Sequence, residues 1–445
     1  MMSRSKKRFA WVLMLVLALL VSACGKNASD TATGGGQGKK EGGNESASGT
    51  KKPVEMRLLV NNDWGKSEGL AEIIKKYEAE TGNKITIDMV PPEQALNIIT
   101  TKISTGDAPD LIMTNAGSQY IPYNFLEPLS GPWTNLMEPS VKKVISENDK
   151  VYQAYAAPIG YYGAIYNKEV LEKAGVKLPL MNYRQLVDAL KAIQATGVEP
   201  IVIPGKDSWT HEMIPALGGV HVMQKDPSLA QKIRTNQTKA SQEPAFIELA
   251  ERVLALKPYT NKDALSLPYG DAAWKKVLEG KSGMVMVGDW LYTDFERIGG
   301  DAVNNVSMMP FTLSNDYISG VVGLTLRAFA IPRNSPHKET AQQFINYVMT
   351  AENFAISVKP FKGASPYKGF PTKKSAWQID YEKKLADNQI PVTNSYLNEF
   401  LTGFQYGDSG VLWQSMFSGK DIKAAYDDWY KEYEKLNRVA KTPGF

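Results

Sequence analysis

Between residues 56 and 113 short apolar runs alternate with amphipathic stretches, and this alternation leaves few folds open. Residues 56–60 are a continuous apolar run and predict a strand, which Asn61-Asn62-Asp63-Trp64-Gly65 interrupts. Leu70, Ile73, Ile74 and Tyr77 then recur at the i, i+3, i+4, i+7 spacing of one helix face, and Thr81-Gly82 ends it. Residues 85–90 predict a second strand, 94–104 a helix and 111–113 a third strand, after a tight turn at 105–110. Strand, helix, strand, helix, strand is the pattern of a parallel sheet covered by helices, so the expected class is α/β. The rest of the chain repeats these ingredients. Helices are expected at 168–174, 183–195, 209–217, 245–256, 272–279, 341–348 and 422–436. Residues 155–166 read as extended, 200–203 and 284–287 as strands, and 321–331 as a strand or strand pair ended by Pro332.

The N-terminus has a different logic. Arg4, Lys6, Lys7 and Arg8 precede an apolar stretch over 9–21, followed by Ser22-Ala23-Cys24. The stretch is shorter than the roughly 20 apolar residues of a membrane span and has the layout of a secretory signal. Small residues directly before a cysteine resemble the lipobox of bacterial lipoproteins. That resemblance implies a signal peptide over 1–23 and a diacylglyceryl group on Cys24, which becomes the mature N-terminus. Cys24 is the only cysteine in 445 residues, so neither a disulfide framework nor a Cys-based zinc site is available. Residues 25–52 are rich in Gly, Ser, Lys and Asn and cannot bury a core; they are expected to be a disordered tether with a reach of roughly 30 Å. The formal charge of +4 comes from the signal: without its four cations, 47 Lys and Arg face 47 Asp and Glu. A neutral mature chain gives no electrostatic case for nucleic acid. What remains, roughly 400 residues, is long enough for two domains.

Several segments, in order, resemble the family 1 extracellular solute-binding proteins of ABC importers, the maltose-binding-like group. They include Tyr77-Glu78-Ala79-Glu80-Thr81-Gly82, the turn Gly106-Asp107-Ala108-Pro109-Asp110, Leu126-Glu127-Pro128-Leu129 and Tyr166-Asn167-Lys168-Glu169. Gly280-Lys281-Ser282-Gly283-Met284 through Gly288-Asp289-Trp290 and Ile331-Pro332-Arg333-Asn334-Ser335 complete the set. The resemblance implies a two-lobed, periplasmic-binding-protein-like fold of type II, each lobe a helix-covered β-sheet, with a ligand cleft between them. Lobe one would comprise 54–163 and 319–365, and lobe two 164–318 and 366–445. It also implies a monomer that hands a captured solute to permease transmembrane subunits, held at the outer face of the cytoplasmic membrane by lipid.

In open α/β sheets, ligands bind beyond the carboxyl ends of the strands. Four expected strands are followed by polar and aromatic residues: Asn62, Asp63 and Trp64; Asn115 and Gln119; Asp207 and Trp209; Asp289 and Trp290. Tyr161 and Tyr162 lie near the expected lobe crossing. Indole and phenol rings stack on the C–H face of a pyranose, and Asp, Asn and Gln serve its hydroxyl rim. The candidate ligand-binding set is therefore Trp290, Asp289, Trp64, Asp63, Asn62, Asn115, Gln119, Tyr161, Tyr162 and Trp209, for a mono- or oligosaccharide. The family's "G.W" tryptophan, a sugar-stacking position, falls on Trp290. Against this, each Trp could serve packing, Asp63 and Asn115 could be turn residues, and the two tyrosines could be hinge packing. Asp107 and Asp110 read as structural.

Enzyme signatures fail on inspection. His211-Glu212 is followed by Pro215 where a zincin needs His, and Gly280-Lys281-Ser282 has Lys275 where a phosphate loop needs Gly. Gly407-Asp408-Ser409-Gly410 has no histidine in a matching context. No catalytic residue, metal or cofactor is expected. The alternatives are a surface glycoside hydrolase, which needs a carboxylate pair across the cleft, and a ligand-sensing partner of a membrane sensor kinase.

Overall fold

The computed structural model describes residues 52–114, 125–323, 327–359, 361–394, 409–440 and 444–445. Cys24 with its signal and tether, and Asn115 and Gln119, lie outside the described residues, as does the side chain of Asp63.

In chain order the described strands are β1 (Glu55–Asn61), β2 (Lys84–Val90), β3 (Leu111–Thr114), the hairpin β4 (Ser146–Glu147) and β5 (Lys150–Val151), β6 (Ala154–Tyr155), β7 (Gly160–Asn167), β8 (Glu199–Ile201), β9 (Ser282–Gly288), β10 (Val306–Met309), β11 (Gly320–Gly323), β12 (Ala328–Ala330) and β13 (Val392–Asn394). They form two large sheets. The first has the order β2-β1-β3-β12-β6, and the second β13-β11-β7-β9-β8 with β10 also on β7. The strand–helix alternation at the start of the chain gives the parallel pairs β1–β2 and β1–β3, as expected. β12 runs antiparallel to β3 and β6, so the first sheet is mixed.

Helices cover both faces of each sheet, which is why the central strands are apolar without alternation. From β1, Leu58 and Val60 pack with Leu70, Ile73 and Tyr77 of the helix Glu68–Thr81 and with Phe344 and Ile345 of Lys338–Val348. Leu59, between them in sequence, faces the other way onto Ala95, Ile99 and Ile103 of Pro92–Thr105. The second sheet repeats the division: Met284 and Met286 of β9 enter one core, Val285 and Val287 the other.

Among the described residues the chain passes between the sheets three times. The first passage lies between β6 and β7, the second between β11 and β12. Segment 321–331 is thus two strands in two different sheets. Residues 160–163 and 320–323, expected in lobe one, hydrogen-bond within the second sheet. Tyr367 and Phe370 still pack in the first core while Trp377 packs in the second, so the third passage falls between Phe370 and Trp377.

The Gly106–Asp110 turn ties these parts together. Asp110 is buried; its Oδ2 accepts the Arg57 backbone N–H at 2.7 Å and its Oδ1 the His337 N–H at 3.2 Å. One carboxylate therefore joins β1, the entry to β3 and the start of the helix Lys338–Val348.

Candidate functional site

The first tryptophan of the site sits where β1 ends. Asn61 caps the short helical turn Asn62–Gly65, its side chain accepting the Trp64 N–H at 3.0 Å. Trp64 is thereby fixed at the carboxyl end of a first-sheet strand, half-buried against the first core.

β9 ends in the same way in the second sheet. The turn Asp289–Leu291 follows Gly288 at once. The Trp290 indole lies over Gly288, where an added Cβ would sit 1.6 Å from the ring, so Gly-Asp-Trp is a steric unit. Trp290 Nε1 donates to the Tyr269 hydroxyl at 3.1 Å, and Tyr162 meets the indole edge-on at 5.4 Å.

These two exits meet on the wall of one cleft, which also takes in Asp289, Ala157 and Pro158 of the first passage and Gly160 at the start of β7. Arg327 of the second passage, and Phe361 and Lys362 from the loop that precedes the third, complete the wall.

Two charged side chains of this wall are buried and incompletely partnered. Asp289 is 4% exposed. Its carboxylate accepts backbone N–H groups from Tyr161 and from its own residue, while Oδ2 has no partner among the described residues. Burial pushes its carboxyl up to about 7, against the pull of those N–H groups and with help from the nearby Glu382 charge. Gly160 makes room for it: a Cβ there would come 2.0 Å from Oδ1. Arg327 is 1% exposed. Its Nη2 donates to Ser67 Oγ at 3.0 Å, its guanidinium lies 5.0 Å from the Phe361 ring centre, and Nη1 has no partner among the described residues. Burial lowers the guanidinium to about 10, so it stays charged at neutral pH. Lys362, by contrast, is paired: its Nζ is 2.7 Å from Glu296 and lies over the Tyr292 ring.

Of the candidate residues, the structure brings Trp64, Asp289 and Trp290 together. Trp209 stands one layer back, its ring 4.8 Å from Tyr269, which holds Trp290. Tyr162 is buried behind Trp290, and Tyr161 packs on Tyr381 while its hydroxyl donates to Glu382 at 3.3 Å. Neither tyrosine is on the cleft wall; both pack at the passage, and the backbone of the adjacent Gly160 takes the wall position. Asn62 begins the turn that carries Trp64 and is not on the wall. Arg327, Phe361 and Lys362 were not singled out from sequence. Arg327 left one sign, a charge inside the apolar run 321–331. Phe361 and Lys362 left none, since only tertiary structure brings their loop to the strand ends.

Two helix-covered sheets, three passages and a cleft built from strand exits of both sheets are the architecture of a two-lobed binding protein. The comparisons agree. The chain belongs to the bacterial extracellular solute-binding protein family, whose sequence model matches residues 63–353. An uncharacterized ABC transporter extracellular-binding protein of Pyrococcus horikoshii is 24% identical, over 88% of this chain and 85% of its own length. The multiple sugar-binding protein of Streptococcus mutans is 22% identical over 63% of this chain and 68% of its own. A sugar transporter protein of Bacillus licheniformis, solved in complex with stachyose, shares the fold with a TM-score of 0.63 at 20% identity, covering 86% of this chain and 100% of that one.

Proposed function

We propose that this chain is the lipid-anchored capture subunit of an ABC importer and that it binds a carbohydrate in the cleft described above. One observation carries the reading. Two indoles from strand exits of opposite sheets, Trp64 and Trp290, share a cleft wall with a buried carboxylate oxygen that has no partner among the described residues. Stacking surfaces and an unsatisfied acceptor are what a sugar ring and its hydroxyls engage. The sugar-binding description of the Streptococcus mutans relative and the stachyose complex of the structural neighbour support it.

In this reading the protein makes and breaks no bond. Contacts from both lobes favour a closed form, and closure presents the surface that the permease subunits recognise. Lobe one comprises the chain up to the β6–β7 passage and from β12 to about Phe370, and lobe two the rest. Cys24 carries the lipid, and the mature protein works as a monomer outside the cytoplasmic membrane. Isothermal titration against a panel of mono- and oligosaccharides tests the carbohydrate assignment. At least one sugar gives saturable heat with the native protein; a flat response across the panel rejects it.

A further inference from the structure

Arg327 poses an electrostatic problem that a neutral ligand leaves unsolved. Its side chain is almost fully buried, yet no carboxylate among the described residues lies within ion-pair distance. Its contacts are neutral: Ser67 Oγ, the Met113 thioether at 3.4 Å and the Phe361 ring. Taking a charge out of water costs several kcal/mol unless an opposite charge and hydrogen bonds compensate. A hydroxyl, a sulfur and a ring face supply only part of that, and Nη1 has no partner among the described residues. The other cation on the wall, Lys362, shows the contrast, because Glu296 neutralises it. Asp289 shares the wall but does not pair with Arg327. Among the described residues the cleft therefore holds a positive charge without a counter-ion, beside two indoles and an acceptor that no described residue partners.

We propose that the physiological ligand is an acidic sugar, a mono- or oligosaccharide bearing a carboxylate, and that this carboxylate is the missing counter-ion of Arg327. The inference rests on the carbohydrate reading above and narrows it. A guanidinium suits this task because its planar N–H groups match a carboxylate's two oxygens. The sugar ring stacks on the indoles, its carboxylate meets Nη1, and a ring hydroxyl donates to Asp289 Oδ2. Held in this way, the acid group contributes more than an equivalent hydroxyl, because its partner is already desolvated.

The test is titration calorimetry of the full-length protein with uronate-bearing sugars and their neutral counterparts: glucuronate against glucose, galacturonate against galactose, digalacturonate against galactobiose. The expected result is that at least one acidic sugar binds ten-fold or more tightly than its neutral partner. Arg327→Gln erases that ratio, and Arg327→Lys retains part of it. Melting curves of both variants establish that they fold; if neither does, the wild-type ratio decides alone. Neutral sugars binding as tightly as acidic ones, with the ratio unaltered in Arg327→Gln, would overturn the inference and leave the carbohydrate reading standing. No heat with either class would overturn both.

Discussion

At the scale of single residues, the cleft depends on side chains held by neighbours that do not touch it. Trp290 is fixed by Tyr269, Tyr162 and the bare Cα of Gly288, so its ring is preorganised before any ligand arrives. Trp290→Ala is expected to weaken sugar binding at least ten-fold, about 1.4 kcal/mol, with a melting curve that still shows one cooperative transition. Unchanged affinity would remove Trp290 from the site. Asp289 gives a pH signature. In the folded chain its carboxyl keeps its proton to about pH 7, whereas an ordinary Asp loses it near 3.8. Between those values the unfolded chain has released a proton that the native chain retains, so raising the pH through this window drains stability, and above it the loss is complete. Melts of unliganded protein between about pH 4 and about pH 8 should show a falling midpoint that Asp289→Asn flattens; equal slopes in the two proteins would contradict this. Both residues were legible in the sequence because Gly-Asp-Trp directly follows an apolar run. Arg327 was much less so: a charged residue in a strand-like segment is visible, but its burial without a counter-ion among the described residues is a property of three dimensions.

Elements were legible where one face or both faces of a segment decide its structure. The helix Glu68–Thr81 announces itself by Leu70, Ile73, Ile74 and Tyr77 and its Gly82 end, where φ is +77°. β1 and β9 announce themselves by continuous apolar runs, because both their faces are buried. The pairing of short strands was not legible. β11 and β12 are separated by a few residues, yet they belong to different sheets, and nothing local distinguishes them from a hairpin. The same long-range pairing puts residues 160–163 in the second sheet. The turn that holds Asp110 makes the clearest prediction at this scale. Asp110→Ala leaves the backbone N–H groups of Arg57 and His337 without their acceptor, and the buried, multiply bonded carboxylate is lost. The expected cost is about 2–4 kcal/mol in denaturant unfolding. Sugar affinity should be unaffected, since the turn is not on the cleft wall. A loss below about 0.5 kcal/mol would show that the turn holds its shape without the carboxylate.

For the whole molecule, the three passages matter more than either sheet. The first two supply Ala157, Pro158 and Arg327 to the cleft wall beside Trp64 and Trp290, so the wall is drawn from both sheets and from segments joining them. Relative movement of the sheets therefore changes the site directly. The proposed lipid anchor on Cys24 belongs to this scale as well. Changing Cys24 to Ser is expected to shift the protein from the membrane fraction to the soluble fraction in its native host, without altering sugar affinity; continued membrane association would mean that something other than this thiol holds it. The central claim concerns the cleft, and a crystal structure of the protein with the sugar that gives the largest calorimetric response tests it most directly. The account predicts the sugar ring against Trp64 and Trp290, with a hydroxyl within hydrogen-bond distance of Asp289 Oδ2. A ligand bound elsewhere, with both indoles bare, would contradict it.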